Sequence, residues 1–245
     1  MIPDKVENIK GCLGCEIEGL IKTTDLRKLK LITSKQEGWV LGGDGSIHNS
    51  LGDGYTTFEL KVGIYKIEDK PKMLNDLKKV FELIKVNTSC GLHIHVSFKH
   101  MSDYYKLLNW GWVNSFQNSY NNIFTSATEQ ARKNGGYSSF YHDESQFNNI
   151  VEQQLKYYHK TARYFSVNFN AFNLYKTIEF RIFPATDNLN KFTEYLNFLL
   201  GEIRKGLNLE NDFKKYDIEV KEKNKTHAGP VIIKEVIEVE VEVKK

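Results

Sequence analysis

The sequence predicts an α+β fold with a largely antiparallel sheet. Several short segments alternate apolar and polar residues, as strands with one wet face do, and others carry the apolar stripe of a helix. These segments follow one another irregularly, without the repeated βα units of a doubly wound fold. The chain has 245 residues, of which 40% are hydrophobic, enough for a domain with a sizeable core. We expect one domain over residues 1–210 and a charged tail or added strand over 211–245.

Four segments have the two-residue period of a strand, approximately 12–21, 56–62, 92–98 and 177–183. In each of them, carboxylate, imidazole or guanidinium groups alternate with apolar residues. Because unpaired carboxylates are costly to bury, the polar face must line solvent or a cavity. Pro184 ends the last of these predicted strands.

Four further segments have a helical pattern, approximately 71–86, 102–128, 151–159 and 189–207. Pro71 and Ser102 are typical of helix starts, and Gly206 is typical of a helix stop. The polar and aromatic stretch 132–147 is interpreted as a long loop. Residues 231–243 alternate again, which predicts either an edge strand or a tail that a partner orders.

Charge and composition exclude several classes of function. The net charge is +3, from 34 basic and 31 acidic residues, so nothing indicates binding to nucleic acid or to an anionic membrane. No segment approaches the roughly 20 apolar residues that span a bilayer, and the first residues contain no apolar core of a signal peptide. Three cysteines do not indicate a secreted disulfide framework. We therefore expect a cytoplasmic location.

The polar faces of the four strands carry the candidate chemistry. Each signal is weak alone, since a Glu-x-Glu strand is usually a wet sheet face and a carboxylate two residues from an arginine can be a surface ion pair. If the strands are neighbours, however, divalent cations would relieve the repulsion, because hard cations prefer carboxylate oxygens and histidine can join them. The candidates are Glu16, Glu18, Glu59, His93, His95, Glu179 and Arg181.

The order of these motifs resembles the amidoligase family, carboxylate–amine ligases of the glutamine synthetase superfamily. The most specific segments are Gly-Leu-His-Ile-His-Val at 91–96 and Thr-Ile-Glu-Phe-Arg-Ile-Phe at 177–183. The resemblance spans about residues 12–186. It is also carried by Gly14-x-Glu16-x-Glu18, Trp39, Asp44-Gly45-Ser46, Glu59 and the stretch 87–97.

The resemblance implies a glutamine-synthetase-type fold, with a curved sheet and helices packed on its outer face. It also implies an ATP-dependent ligase that joins a carboxylate to an amine through an acyl phosphate and acts on a peptide or peptide-like substrate. Magnesium or manganese would be required.

The same resemblance implies roles for individual residues. Arg181 would neutralise the transferred phosphoryl group, and His95 would reach ATP or substrate. Asp44 and Ser46 lie in a shared segment, and Arg132 and Arg163 are candidate anion binders. Glu16, His93 and Glu179 would hold the metal that binds the ATP phosphates, while Glu18 and Glu59 would hold a second metal beside the carboxylate and the amine.

Two departures from glutamine synthetase change the expected substrate. Lys176 and Thr177 stand where the synthetase carries further arginines, and we expect the synthetase's extra N-terminal domain to be lacking. Free glutamate with ammonia is therefore not the expected substrate pair.

Three alternatives remain open at this stage. Cys12, Cys15, Cys90 and His93 have a spacing that could form a zinc site, although an alternating strand is a poor scaffold for the first cysteine pair. A metal-dependent hydrolase could use the same histidines and carboxylates to activate water, without needing Arg181. An inactive binding domain of the same fold is the third alternative, against which the complete ligand set argues.

Overall fold

A computed structural model describes residues 9–134, 136, 138–156, 163–208, 220–222 and 231–233. It confirms the α+β class, because helices and one antiparallel sheet are both present. The sheet contains β1 (Gly11–Lys22), β2 (Val40–Gly42), β3 (Tyr55–Lys66), β4 (Ile84–Lys85), β5 (Gly91–Phe98), β6 (Val167–Asn168) and β7 (Ile178–Pro184).

The strand order brings the four predicted strands together. It runs β2-β3-β1-β5-β7-β6, and the short β4 pairs with β1 beyond the end of β5. Every pair in this sheet is antiparallel. The candidate residues therefore lie on four strands that are direct neighbours: β3, β1, β5 and β7. The sequence alone did not establish this adjacency.

Eight α-helices are described. They are α1 (Leu26–Thr33), α2 (Lys70–Phe81), α3 (Met101–Leu107), α4 (Trp110–Ile123), α5 (Ala127–Asn134), α6 (Glu144–Lys156), α7 (Asn170–Tyr175) and α8 (Leu189–Leu207). Within the described part of the chain, no helix is long and apolar enough to cross a membrane.

The core lies between one face of the sheet and the helices. Alternate strand residues such as Ile17, Ile94 and Phe180 are at most 1% exposed and belong to one hydrophobic cluster. Phe116 of α4 contacts both Phe180 of β7 and Phe198 of α8. Because this face is filled by apolar side chains, the carboxylates and imidazoles of the same strands lie on the opposite face.

The helix predicted at 102–128 is wrong in two respects. It is broken into α3, α4 and the start of α5, and it begins at Met101 with no side-chain cap, so Ser102 is not its cap. The break has a local cause, because the side chain of Asn109 accepts a hydrogen bond from the backbone of Trp112 and starts α4 afresh. The predicted loop at 132–147 is correspondingly shorter, since α5 extends to Asn134 and α6 begins at Glu144.

One helix end and one stop signal were also predicted wrongly. The helix predicted at 71–86 ends at Phe81, because Ile84 and Lys85 form β4 against β1. The helix at 189–207 has the predicted bounds, but Gly206 lies inside it rather than stopping it. A Cβ at Gly206 would lie 2.5 Å from Leu107 and 2.6 Å from Trp112, so this glycine permits close packing of α8. The helix predicted at 151–159 is α6, and residues 157–159 lie outside the described residues.

A β-bulge in β7 changes the alternation of that strand. Leu92 pairs with Phe183 and Ile94 with Phe180, so β7 has one residue more than β5 between these pairs. Ile182 and Phe183 are consecutive and both fully buried in the core, whereas Arg181 lies in the bulge next to the His93 position. Bulges of this kind redirect a side chain, often beside an active site.

The tail is described only in part. β8 (Val220–Glu222) and β9 (Val231–Ile233) pair with each other, antiparallel, in a separate two-stranded sheet. Residues 234–243 of the predicted strand lie outside the described residues. The domain division near residue 210 stays a prediction.

Candidate active site

A cleft of about 710 Å³ opens over the polar face of the sheet. The register places Glu16 of β1 opposite Lys61 of β3 on one side and opposite His93 of β5 on the other. His95 of β5 lies opposite Glu179 of β7. The cleft is lined by every candidate residue predicted from the sequence, namely Glu16, Glu18, Glu59, His93, His95, Glu179 and Arg181.

His93 lies at the centre of this cluster. Its Nδ1 is 3.3 Å from Glu16 Oε2 and 3.5 Å from Glu179 Oε1, and its Nε2 is 3.6 Å from Glu18 Oε1. The side chain is only 5% exposed. One imidazole is thus within reach of three carboxylates from two other strands.

Two groups of ligand atoms are compact enough to hold a cation. One atom each from Glu16, His95 and Glu179 lie within 4.8 Å of one another. The same holds for Glu18, Asp44 and Glu59, the second group. The predicted sets had His93 in the first group and lacked Asp44 in the second. The geometry adds His95 and Asp44 to the residues that could bind a cation, and it leaves His93 within reach of both groups.

The chemistry of these donors fits a hard divalent cation. His95 Nε2 is buried without a hydrogen-bond partner and is 3.9 Å from Glu179 Oε1. Burial lowers the pKa of His95 by more than Glu179 and Glu16 raise it, which favours the neutral imidazole that binds metals. Its Nδ1 lies 3.1 Å from Thr177 Oγ1, which orients the ring. Carboxylate oxygens with one imidazole suit magnesium or manganese.

Arg181 and Glu179 form a buried ion pair. The distance from Arg181 Nη1 to Glu179 Oε1 is 2.5 Å, and both side chains are less than 10% exposed. A surface ion pair, one interpretation open from the sequence, is therefore wrong. Burial by itself would raise the pKa of Glu179, but Arg181 together with the two histidines and Asn168 lowers it.

Lys61 provides a second cation next to the acidic cluster. Its Nζ is 3.1 Å from Glu16 Oε1 and 3.3 Å from Glu59 Oε2, so it joins the two ligand groups. Burial would raise the pKa of Glu16, but the hydrogen bond with His93 and the nearby positive charges lower it instead. Burial and the charge of Glu16 raise the pKa of Glu59.

Arg132 of α5 closes one side of the cleft. Its Nη2 donates to the backbone carbonyl of Arg181 at 3.1 Å, and its Nε is buried without a hydrogen-bond partner. A Cβ at Gly91 would lie 2.7 Å from Arg132 Nη2 and 3.2 Å from Glu18 Oε2. The backbone N–H of Gly91 donates to Glu18 Oε2 at 2.5 Å. A side chain at Gly91 would displace the ends of Arg132 and Glu18, so glycine leaves room for both where β5 begins.

The remaining residues that the sequence suggested also lie at the cleft. Arg163 lines it, as Arg132 does. Asp44 and Ser46 line it too, and Asp44 Oδ1 accepts a hydrogen bond from the backbone of Ser46 at 2.7 Å. This bond, the hydroxyl of Ser46 and nearby positive charges lower the pKa of Asp44 against the opposing effect of burial.

Comparison with protein families decides which group of proteins this cleft belongs to. The model of the family described as "Putative amidoligase enzyme" matches residues 8–201, and the cleft residues named above all fall in that range. The chain belongs to this amidoligase family. No curated protein matches the chain.

The amidoligase cleft is not compatible with the zinc site considered above. Cys15 is buried on the core face of β1, opposite to the face of His93. Cys12 pairs with Ser97, four residues along β5 from His93 and hence about 13 Å away. Burial also raises the pKa values of Cys15 and Cys90, which disfavours thiolate ligands.

Sequence reasoning missed the contacts of three residues in or beside the amidoligase cleft. Asn168 of β6 donates from Nδ2 to Glu179 Oε2 at 2.5 Å and so holds the second carboxylate oxygen. Thr177 orients His95, and Lys61 joins Glu16 to Glu59. The alternation of Asn168 and Asn170 with apolar neighbours was a visible signal for a further strand. The two-residue period placed Lys61 on the same face as Glu59, but its contact with Glu16 depends on the pairing of β3 with β1.

Proposed function

We propose that this amidoligase joins a carboxylate to an amine at the expense of ATP, through an acyl-phosphate intermediate. The observation that carries the proposal is that Arg181 lies on the same cleft wall as two compact groups of carboxylate and imidazole ligands. Phosphoryl transfer depends on positioning and charge neutralisation, and this arrangement supplies both.

The reaction class follows from the chemistry of carboxylates. Amide formation from a free carboxylate would have to expel oxide, which is a very poor leaving group. In the proposed first step, a carboxylate oxygen attacks the γ-phosphorus of ATP, the bond to the bridging oxygen breaks and ADP leaves. In the second step, the amine attacks the acyl carbon, inorganic phosphate leaves and the amine loses a proton. The peptide or peptide-like nature of the substrate rests on the family resemblance alone.

Two divalent cations, magnesium or manganese, fit the donor set. Glu16, His95 and Glu179 would hold one, Glu18, Asp44 and Glu59 the other, and His93 adjoins both groups. When bound, the cations would neutralise phosphate and carboxylate charge. Lys61 now contacts a carboxylate of each group, and we expect its ammonium to move aside when cations bind.

The chain's own residues have distinct tasks in this proposal. Arg181 presents a planar guanidinium that can grip two phosphoryl oxygens, which a lysine cannot. The carboxylate of Glu179 is fixed by two hydrogen bonds of 2.5 Å: Arg181 Nη1 donates to its Oε1, and Asn168 Nδ2 donates to its Oε2. Arg132 supports the bulge from behind, through the backbone carbonyl of Arg181.

A metal-dependent hydrolase would use the same ligands but has no need for Arg181. Three features of the fold hold the backbone of this arginine in place. It lies in the bulge, its backbone N–H donates a hydrogen bond to the carbonyl of Ser166, and its carbonyl accepts one from Arg132. This favours the ligase. An inactive binding domain would not be expected to retain the full set of ligands. The cytoplasmic location expected from the sequence remains a prediction.

The proposal is tested by measuring ATP consumption across a panel of carboxylates and amines, with each product identified by mass. We expect consumption to require magnesium or manganese and to depend on both substrates, and we expect a product lighter by one water than the sum of the two. Product formation without ATP, or cleavage of amides in its absence, would support the hydrolase instead.

A further inference from the structure

One face of α7 forms a part of the cleft to which the proposed chemistry gives no task. Asn170, Ala171, Leu174 and Tyr175 all line the cleft, and their spacing places them along one side of the helix. Asn170 is 1% exposed and Ala171 is buried, whereas Leu174 is 39% and Tyr175 is 66% exposed. The face thus leads from a buried polar end to an open apolar rim.

The buried end lacks a hydrogen-bond donor. Asn170 Oδ1 is buried and has no hydrogen-bond partner, although the backbone N–H of the same residue donates to Asn168 Oδ1 at 2.9 Å. A buried acceptor without a partner costs free energy, so it calls for a donor from a ligand or from water. A ligand that binds here should bring an N–H group.

The open rim carries exposed apolar side chains beside the first ligand group. The ring of Tyr175 meets His95 edge to face, with centroids 6.2 Å apart. Lys176, which follows it, ends α7 in the left-handed conformation with φ 55°, and its carbonyl accepts a hydrogen bond from Tyr104. The helix thus ends in the left-handed cap that is common at helix C-termini, and this cap fixes the backbone next to Tyr175. His95 shares its ligand group with Glu16 and Glu179, the two carboxylates expected to hold the metal at the ATP phosphates, so this rim lies on the nucleotide side of the site.

We propose that this face of α7 binds the base of the nucleotide and selects adenine. An asparagine amide pairs with the N6 amine and N7 of adenine, whereas guanine and hypoxanthine present a carbonyl oxygen at the same position. The acceptor would then be satisfied by a neutral donor, which suits a cleft that also contains Arg163 and Arg181. Leu174 and Tyr175 supply the apolar surface against which a base stacks. The inference rests on the proposed function, because it requires that the amidoligase binds ATP.

The test is isothermal titration calorimetry of the full chain with magnesium and the β,γ-imido analogues of ATP, ITP and GTP. These analogues share one phosphate chain, so differences between them report on the base. We expect the ATP analogue to bind more tightly than the other two by about tenfold or more. Asn170→Ala should reduce this preference by on the order of tenfold, and Tyr175→Ala should weaken all three by a similar factor.

Two further variants separate the inference from a folding defect. Tyr175→Ala removes an exposed side chain that the fold does not need, and Ile123→Ala, which truncates an exposed apolar side chain away from the cleft, is its control and should bind all three analogues as the unaltered chain does. Asn118→Ala, on the exposed side of α4 and away from the cleft, controls for the loss of an amide, and urea unfolding of Asn170→Ala shows whether removal of this buried side chain leaves the fold intact. Binding of the ATP analogue with no preference over ITP, or a preference that survives Asn170→Ala, would overturn the inference alone. A higher KM for the amine substrate in Asn170→Ala, with nucleotide binding unchanged, would also overturn it. Failure to bind any of the three would instead refute the proposed function.

Discussion

Replacing Arg181 by lysine separates a chemical role of this residue from a structural one. Lysine retains the positive charge beside Glu179 but loses the planar fork that contacts two phosphoryl oxygens. Loss of one strong donor to a transition state typically costs about 10²–10³ in turnover, or about 2.7–4 kcal/mol. We therefore expect turnover in Arg181→Lys to fall by on the order of a hundredfold or more.

The stability of the fold should depend on the positive charge of Arg181 more than on its planar guanidinium group. The Arg181–Glu179 pair has a distance of 2.5 Å and is almost fully buried, so removing the charge with Arg181→Met should destabilise the fold by about 3–5 kcal/mol. Arg181→Lys keeps the charge, and its free energy of unfolding should change by much less. Glu179→Gln should also lower stability, because it leaves the buried charge of Arg181 without its partner, and in addition it should weaken the binding of magnesium and ATP, because this carboxylate belongs to the first ligand group.

The assay measures turnover, ATP affinity and urea unfolding for each variant. Arg27→Lys, exposed on α1, is the matched control and should resemble the unaltered chain in all three. Near-normal turnover in Arg181→Lys would refute the reasoning. Unfolding of Arg181→Lys would likewise show that Arg181 acts as a structural partner of Glu179 and not on the phosphoryl group.

Three further predictions concern packing, pH and the tail. Gly91→Ala should weaken metal binding, because its Cβ would lie 2.7 Å from Arg132 Nη2 and 3.2 Å from Glu18 Oε2 and would displace both side chains. The loss of stability should be small, about 1 kcal/mol, since flexible side-chain ends can move away. Gly42→Ala, with nothing within 4 Å of the new Cβ, is the control in the same titrations, and equal effects on metal binding would contradict the account. In the presence of a chelator, the free energy of unfolding should fall as the pH drops below roughly 6.5, because the pKa of His95 is lowered in the folded chain and the unfolded chain therefore binds the proton first. It should fall further below roughly 4.3, because the pKa of Glu179 is also lowered in the folded chain and the unfolded chain again protonates first. Stability that rises toward acid pH would contradict this. Truncation after Leu209 should leave binding of magnesium and ATP intact by calorimetry, and loss of folding would show that the tail is part of the domain.

The sequence predicts the site well where the signal is local. A strand's two-residue period assigns each side chain to a face without knowledge of its partners, so Glu16, Glu18, His93 and His95 were placed on the correct face. Their convergence depends on strand order, which periodicity does not contain. It was inferred instead from the order of motifs that resembles the amidoligases.

The parts that were missed depend on contacts between distant segments. Gly206 was interpreted as a helix stop, but its small size allows close packing against Trp112, which is 94 positions away in the sequence. The bulge at Arg181 arises from the register between β5 and β7. Lys61 faces Glu16 only because β3 pairs with β1. None of these contacts leaves a periodic trace in the local sequence.

Isotope transfer from the carboxylate substrate to phosphate tests the central claim most directly. A carboxylate labelled with oxygen-18 is supplied with ATP, magnesium and the amine that the panel identifies, and the inorganic phosphate released is analysed by mass. If Arg181 and the two ligand groups support an acyl phosphate, one labelled oxygen should appear in each phosphate formed along with the amide. Amide formation with unlabelled phosphate would contradict the account, because the carboxylate oxygen would then never have been bonded to phosphorus.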